Sequence, residues 1–282
     1  MSKELSSVQR TEFDTQTKLA YQGGSKLRDT VRYEGDITGD TFKFNLMGKG
    51  QGHERAGSSS LVVPMDLTHE FKTATLKDYE HPEYTDIFDQ AGANFNEKMY
   101  IAESIGKAMG RTEDQVIIDQ LIAGTYNTTD TDGQGKEIAA GGTGFTTAKL
   151  RELRAYYDDL EVEEEDTYIL ISGTGLNRLL ANTETADADF NTVRTLVNGQ
   201  MNTFMGFNFI TIGARRLEGG LGGSGLVAYS YCKQSVGLAS ASIEKSMSVD
   251  WIPERVSYLC NGMLKTGSTI IDPEGTAKIS FT

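Results

Sequence analysis

The chain has 282 residues, enough for one large domain or two modest ones, and its 38% hydrophobic and 24% charged residues exclude wholesale disorder. The formal net charge of −13 lies in the body, since residues 81–145 alone carry 4 basic and 11 acidic side chains, and such a surface argues against a DNA-binding enzyme. Two cysteines, Cys232 and Cys260, give neither a disulfide framework nor a zinc cluster, and no stretch reads as a signal peptide or a membrane span. The chain is expected to be soluble in a reducing compartment, or to become soluble by assembling.

Residues 1–36 hold few apolar side chains, scattered without a period of 2 or 3.6, so this segment reads as a tail or as an arm that orders on a neighbour. Residues 40–78 read as a long hairpin. Phe42, Phe44 and Leu46 alternate with Lys43, Asn45 and Met47, and Leu67–Leu76 is a second extended run. The intervening residues 48–60 contain no large apolar side chain. A two-stranded hairpin is marginal alone, so one that stands off the body needs a partner surface.

Residues 86–123 carry the strongest helical pattern. Phe88, Ala91, Phe95, Met99, Ala102, Ile105 and Met109 form one apolar stripe. Gly110-Arg111 is expected to interrupt it, with Thr112 and Gln115 as a capping box that restarts a helix ending at Gly124. Residues 125–146 read as loop. A helix is expected from Thr146 to about Leu160 with Leu150, Leu153, Tyr156 and Tyr157 inward. An acidic turn at 161–166, a buried strand at 168–171 and a short helix from Leu176 to Ala181 follow. Strands are expected at 207–212, at 226–231 and through most of the chain from Ser235 to Phe281. The whole is α+β without internal repeats.

Motifs that carry chemistry are weak. Gly220-Leu221-Gly222-Gly223-Ser224-Gly225 matches a dinucleotide-binding loop, but a strand is expected after it where that loop needs a helix. Gly173-Thr174-Gly175 has Arg178 at the third glycine position. In Asp130-Thr131-Asp132-Gly133 the glycine comes too early for a calcium loop, and Glu163–Asp166 reads as a solvated corner. His53, His69 and His81 form no metal-binding pattern. Ser104–Lys107 and Ser242–Lys245 fit S-x-x-K without companion motifs, and Asn127-Thr128-Thr129 is a glycosylation sequon. No catalytic, cofactor-binding or metal residue is assigned.

Taken in order, these pieces resemble the Hong Kong 97 type of capsid protein of tailed bacteriophages. The segments that carry the resemblance are Glu83–Gly124 with Gly110-Arg111-Thr112-Glu113-Asp114, and Leu196-Val197-Asn198-Gly199 followed by Phe204-Met205-Gly206-Phe207-Asn208-Phe209-Ile210. The closing Gly267-Ser268-Thr269-Ile270-Ile271-Asp272-Pro273-Glu274-Gly275 joins them. The resemblance implies an α+β, Hong Kong 97-like capsid fold. Its parts would be an N-terminal arm (1–35), an extended β-hairpin loop (36–80), a peripheral domain with a long spine helix (81–145), an axial domain (146–240), and C-terminal strands returning to the peripheral domain (241–282).

It further implies a major capsid protein rather than an enzyme, self-assembling into the pentamers and hexamers of an icosahedral phage head around double-stranded DNA. The protein would reside in the virion after assembly in the host cytoplasm, with no cofactor and no membrane partner. No cleaved scaffolding region is expected before the arm, which would imply a separate scaffold or none; portal and decoration proteins are further expected partners. Lys43 and Lys49 have no specific support as crosslinking lysines. Phe42, Phe44, Leu46, His69, Phe71, Phe88, Phe95 and Met99 are the candidate assembly contacts. An encapsulin-like nanocompartment shell and, more remotely, a nucleotide-binding enzyme using Gly220–Gly225 are the alternatives.

Overall fold

The computed structural model describes residues 24–50, 52–55, 57–58, 61–62, 64–88, 97–129, 133–161, 166–181, 203–217, 226–243 and 246–282. Its strands are β1 (Arg32–Ile37), β2 (Thr41–Met47), β3 (His69–Thr75), β4 (Lys77–Asp86), β5 (Tyr126–Asn127), β6 (Gly135–Ile138) and β7 (Thr167–Ile171), then β8 (Thr203–Phe204), β9 (Phe207–Thr211), β10 (Val227–Cys232), β11 (Val236–Ala241), β12 (Met247–Ile252), β13 (Ser257–Ile270) and β14 (Thr276–Ser280). Its helices are α1 (Glu97–Ala123), α2 (Thr147–Asp159), α3 (Gly173–Leu180) and α4 (Ala214–Leu217). No helix among the described residues is long and apolar enough to cross a membrane.

The chain forms two compact units. The first holds the described parts of 78–112 and 243–264 together with Gly24 and Ser25; the second holds 26–77, 113–242 and 265–282. The elements β4, α1 and β13 are divided between them.

The second unit is built on a seven-stranded sheet of order β5-β6-β14-β10-β7-β9-β8. Alternation along its strands feeds two cores. Ile169, Ile171, Ala228 and Phe207 point to one face, where Leu150, Leu153 and Tyr157 of α2 cover them. Leu170, Tyr229 and Tyr231 point to the other, against Ile117, Ile118 and Leu121 of α1. The α2 residues recur at three and four positions, as one helical stripe requires. The buried Tyr157 hydroxyl donates to Ser230 Oγ at 3.1 Å, and that hydroxyl donates to the Tyr168 carbonyl at 3.0 Å, so these two buried hydroxyls are satisfied. Met205 and Gly206, both with positive φ, make the two-residue turn between β8 and β9.

Several expectations differ from the fold. Residues 125–146 were expected to be loop, yet β5 and β6 run there and join the sheet, β6 parallel to β14. The strands are too short to show a period. Gly135 permits them, because a Cβ there would lie 2.7 Å from the Tyr126 ring and 2.8 Å from the Thr276 carbonyl. The described end of the expected arm belongs to the folded unit: Leu27 and Val31 are buried in its second core, and β1 pairs in parallel with β11. The C-terminal strands expected as one return divide, with β14 in the seven-stranded sheet and the start of β13 in the first unit. The short helix α3 begins at Gly173, three residues early, where Ser172 Oγ accepts from the Gly175 N–H at 3.1 Å and caps it.

Helix α1 is uninterrupted through Gly110-Arg111, against the expected break. Gly110 serves a close approach instead: a Cβ would lie 2.8 Å from the Ser25 backbone nitrogen. Thr112 caps nothing; its hydroxyl donates to the Ala108 carbonyl at 3.1 Å and meets His81 Nε2 at 2.9 Å. In the first unit β12 pairs antiparallel with β13, and β4 also pairs with β13. Gly262 of β13 lets Ile105 and Met109 of α1 pack directly on the strand, a Cβ there falling 2.4 Å from Ile105 Cγ2.

Candidate assembly surface

The hairpin β2–β3 is paired over its whole length, from Thr41 opposite Thr75 to Met47 opposite His69. Its period of two sorts the candidate contacts onto two faces. Phe42, Phe44 and Leu46 share the inward face with Ala74, and Phe44 is fully buried among Ala74, Leu76, Ala239 and Ile271. Gly237 makes room for it, since a Cβ there would lie 2.7 Å from the Phe44 ring. Phe44 is therefore a core residue, a correction to its expected role as a contact with another subunit; Phe42 and Leu46 are half-buried beside it.

The outward face carries Met47, His69 and Phe71, all exposed, with Phe71 at 58% and Lys43 Nζ 4.3 Å above its ring. Beyond the strands Leu61, Val62 and Met65 are exposed, Val62 at 95%. Phe88 and Met99 of the first unit are also exposed, at 75% and 68%. Phe95 lies outside the described residues, as do residues 130–132, 163–165, 196–199 and 220–225. The segment after Gly225 is strand β10, so the helix a dinucleotide loop needs is replaced by a strand.

The hairpin root is held by charge and by backbone. Leu76 N–H donates to the Asp40 carbonyl at 2.8 Å, and Lys265 Nζ donates to Asp40 Oδ1 at 2.5 Å, which holds that carboxyl below its usual range. Further out Lys49 reaches Glu274 at 3.4 Å, and the other oxygen of Glu274 accepts from the Gly133 N–H at 3.0 Å. Where the expected arm enters the fold, the buried Asp114 carboxylate accepts from the backbone N–H groups of Lys26 and Leu27 at 3.1 Å, with Arg216 at 3.8 Å. Beside it, burial raises the Glu113 carboxyl against the opposing pull of Arg28.

Both cysteines are buried. Burial pushes the Cys232 thiol up to about 12, and no group of three metal-ligating side chains occurs among the described residues. What stands out is exposed apolar surface on the outward hairpin face and on β12. Sequence reading missed Met47, placed on the polar side of the alternation, and the face Met247, Val249 and Trp251 of β12. The available signal was the alternation in Met-Ser-Val-Asp-Trp-Ile with the chain's single tryptophan.

Comparison with known proteins agrees with a shell subunit. The fold is similar to that in the capsid structure of the cyanophage P-SCSP1u, with a TM-score of 0.76 at 16% identity over 100% of this chain and 95% of that one. It is similar to that of Mycobacterium phage Che8, at 0.71 and 10% over 95% of each chain. It also matches the capsid of Ralstonia phage GP4, at 0.69 and 10% over 100% of this chain and 99% of that one. No curated protein matches the sequence. The profile of the family described as phage capsid protein matches residues 6–282, so a nanocompartment shell is not favoured. With that match spanning nearly every residue and the fold shared with tailed-phage capsids, the chain belongs to the phage capsid protein family and is a major capsid protein of the Hong Kong 97-like fold.

Proposed function

We propose that copies of this chain close into the pentamers and hexamers of an icosahedral phage head around double-stranded DNA. The observation that carries this reading is the outward hairpin face, where Met47 and Phe71 stand exposed on a paired hairpin whose other face is already used by the core. A neighbouring subunit covers that face. The N-terminal segment acts as an arm, the hairpin as the extended loop, and α1 as the spine helix. Contacts of this kind are heterologous, and closing rings follow from them. The net charge of −13 suits an inner wall that encloses DNA without gripping it by sequence. The role is structural rather than catalytic. Assembly takes place in the host bacterial cytoplasm, with portal and decoration proteins as further partners. Electron microscopy of the chain expressed alone and with scaffold, after sizing, tests the reading. Closed particles, tubes or partial shells are expected; a subunit that stays monomeric with scaffold supplied overturns it.

A further inference from the structure

Strand β12 ends the strand order on its side of β13, and no strand among the described residues pairs with its outer edge. Edge strands in natural proteins are commonly blunted by lysine, proline or a bulge. Met247–Ile252 has none of these: its register against β13 is unbroken from Met247 opposite Gly262 to Ile252 opposite Ser257, and its one charge is Asp250. Met247, Val249 and Trp251 lie on one face and are all exposed, Val249 at 54%. Their cross-strand partners Gly262, Cys260 and Tyr258 are not: Ile105 and Met109 pack at Gly262, and Lys98 Nζ sits 3.2 Å over the Tyr258 ring. The helix thus covers the neighbouring strand and leaves the β12 side chains half open.

The sequence of this edge complements itself. We propose that β12 is the seam through which two copies of this chain join, edge to edge and antiparallel, across a two-fold axis at Val249. In that register Met247 faces Trp251 of the second copy and Val249 faces Val249. On the opposite face Asp250 meets Ser248, so no like charges are opposed. A centre at Asp250 sets carboxylate against carboxylate, which disfavours pairing. A centre at Ser248 leaves Trp251 without an apolar partner. A two-fold contact is isologous, unlike the head-to-tail contacts that close a ring, so this seam links subunits of adjacent rings. The inference rests on the shell reading and adds one named contact to it.

The test is a Val249→Cys crosslink in assembled particles. Residues directly opposite in an antiparallel pair have Cα atoms roughly 4.5–5.5 Å apart, within disulfide reach. Cys260 is the in-chain partner of Val249 and would capture the new thiol, so the background is Cys260→Ala, with that single variant as control. On mild oxidation the monomer band of purified particles is expected to convert to a dimer. Intact particles that stay monomeric overturn the seam and leave the shell reading standing, whereas failure of the unmutated chain to form any particle overturns both. If the cysteine variant alone fails to assemble, unmutated particles answer by hydrogen exchange. Residues 247–252 are expected to be protected relative to free subunits, and equal exchange overturns the proposal. A crosslink from Val249→Cys to Phe71→Cys, with none between two Val249→Cys copies, assigns the edge to a neighbour's hairpin and also overturns it.

Discussion

Phe44→Ala and Phe71→Ala separate the two faces of one hairpin. Phe44 is fully buried among side chains from the hairpin, β11 and the turn at Ile271. Truncating a phenylalanine in such a site costs about 3–5 kcal/mol, the removed transfer energy plus the cavity left behind. A whole domain of ordinary stability has about 5–15 kcal/mol, so this is a large share. At about 2–4 °C per kcal/mol for a unit of this size, the melting temperature of unassembled subunits should fall by roughly 6–20 °C. Phe71 is on the outward face and should cost the free subunit less than about 0.5 kcal/mol. Its loss should instead lower particle yield at a given subunit concentration. Thermal melts of unassembled subunits, hydrogen exchange over 41–47 and 69–75, and particle yield read the difference. Phe71→Ala destabilising the free subunit as much as Phe44→Ala, or Phe44→Ala leaving it unchanged, would refute the assignment of faces.

Other sites give independent tests. Gly267→Ala places a Cβ 2.2 Å from the Thr75 carbonyl oxygen, a backbone atom, so a loss of at least about 1–3 kcal/mol is expected in urea titrations. Asp114→Asn halves the acceptor capacity offered to the Lys26 and Leu27 amides; a loss of about 1.5–3 kcal/mol and faster exchange at those two amides should follow. Lys149 Nζ donates to the carbonyls of Ala140, Thr143 and Ser280 at 2.8, 3.3 and 2.8 Å, so Lys149→Met should cost on the order of 3 kcal/mol and loosen the C-terminal strand. For pH, burial raises the Glu113 carboxyl above its ordinary 4.5, so the folded state binds that proton more tightly than the unfolded chain. This contribution to stability is present at low pH and declines as pH rises from 4.5 through the raised value. Glu113→Gln should flatten that part of the profile, and an unchanged slope in melts from pH 4.5 to 7 would count against it.

Much of the architecture was legible where a period ran long enough to be read. Phe42, Phe44 and Leu46 announced a strand, and Leu150, Leu153 and Tyr157 a helix with one buried face. What stayed hidden depends on residues far apart in the chain. Nothing local tells that Leu27 and Val31 sit beside Leu121 and Tyr231, because two apolar residues make no period. Gly110 has the composition of a helix break and the function of a contact with Ser25. Which face of the hairpin meets the core was not legible for the same reason. Alternation gives two sets of side chains but not which set meets the core; that is settled by Gly237 and Ala239, nearly two hundred residues downstream. Exposed residues such as Trp251 show no sequence signal beyond alternation, since the same pattern serves a buried and an open strand face.

The most direct test of the central claim is a cryo-microscopy reconstruction of particles assembled from this chain. The account predicts a closed shell in which Met47 and Phe71 of each hairpin are covered by a neighbouring subunit while Phe44 stays within its own. A shell in which that outward face points to solvent in every subunit would contradict it.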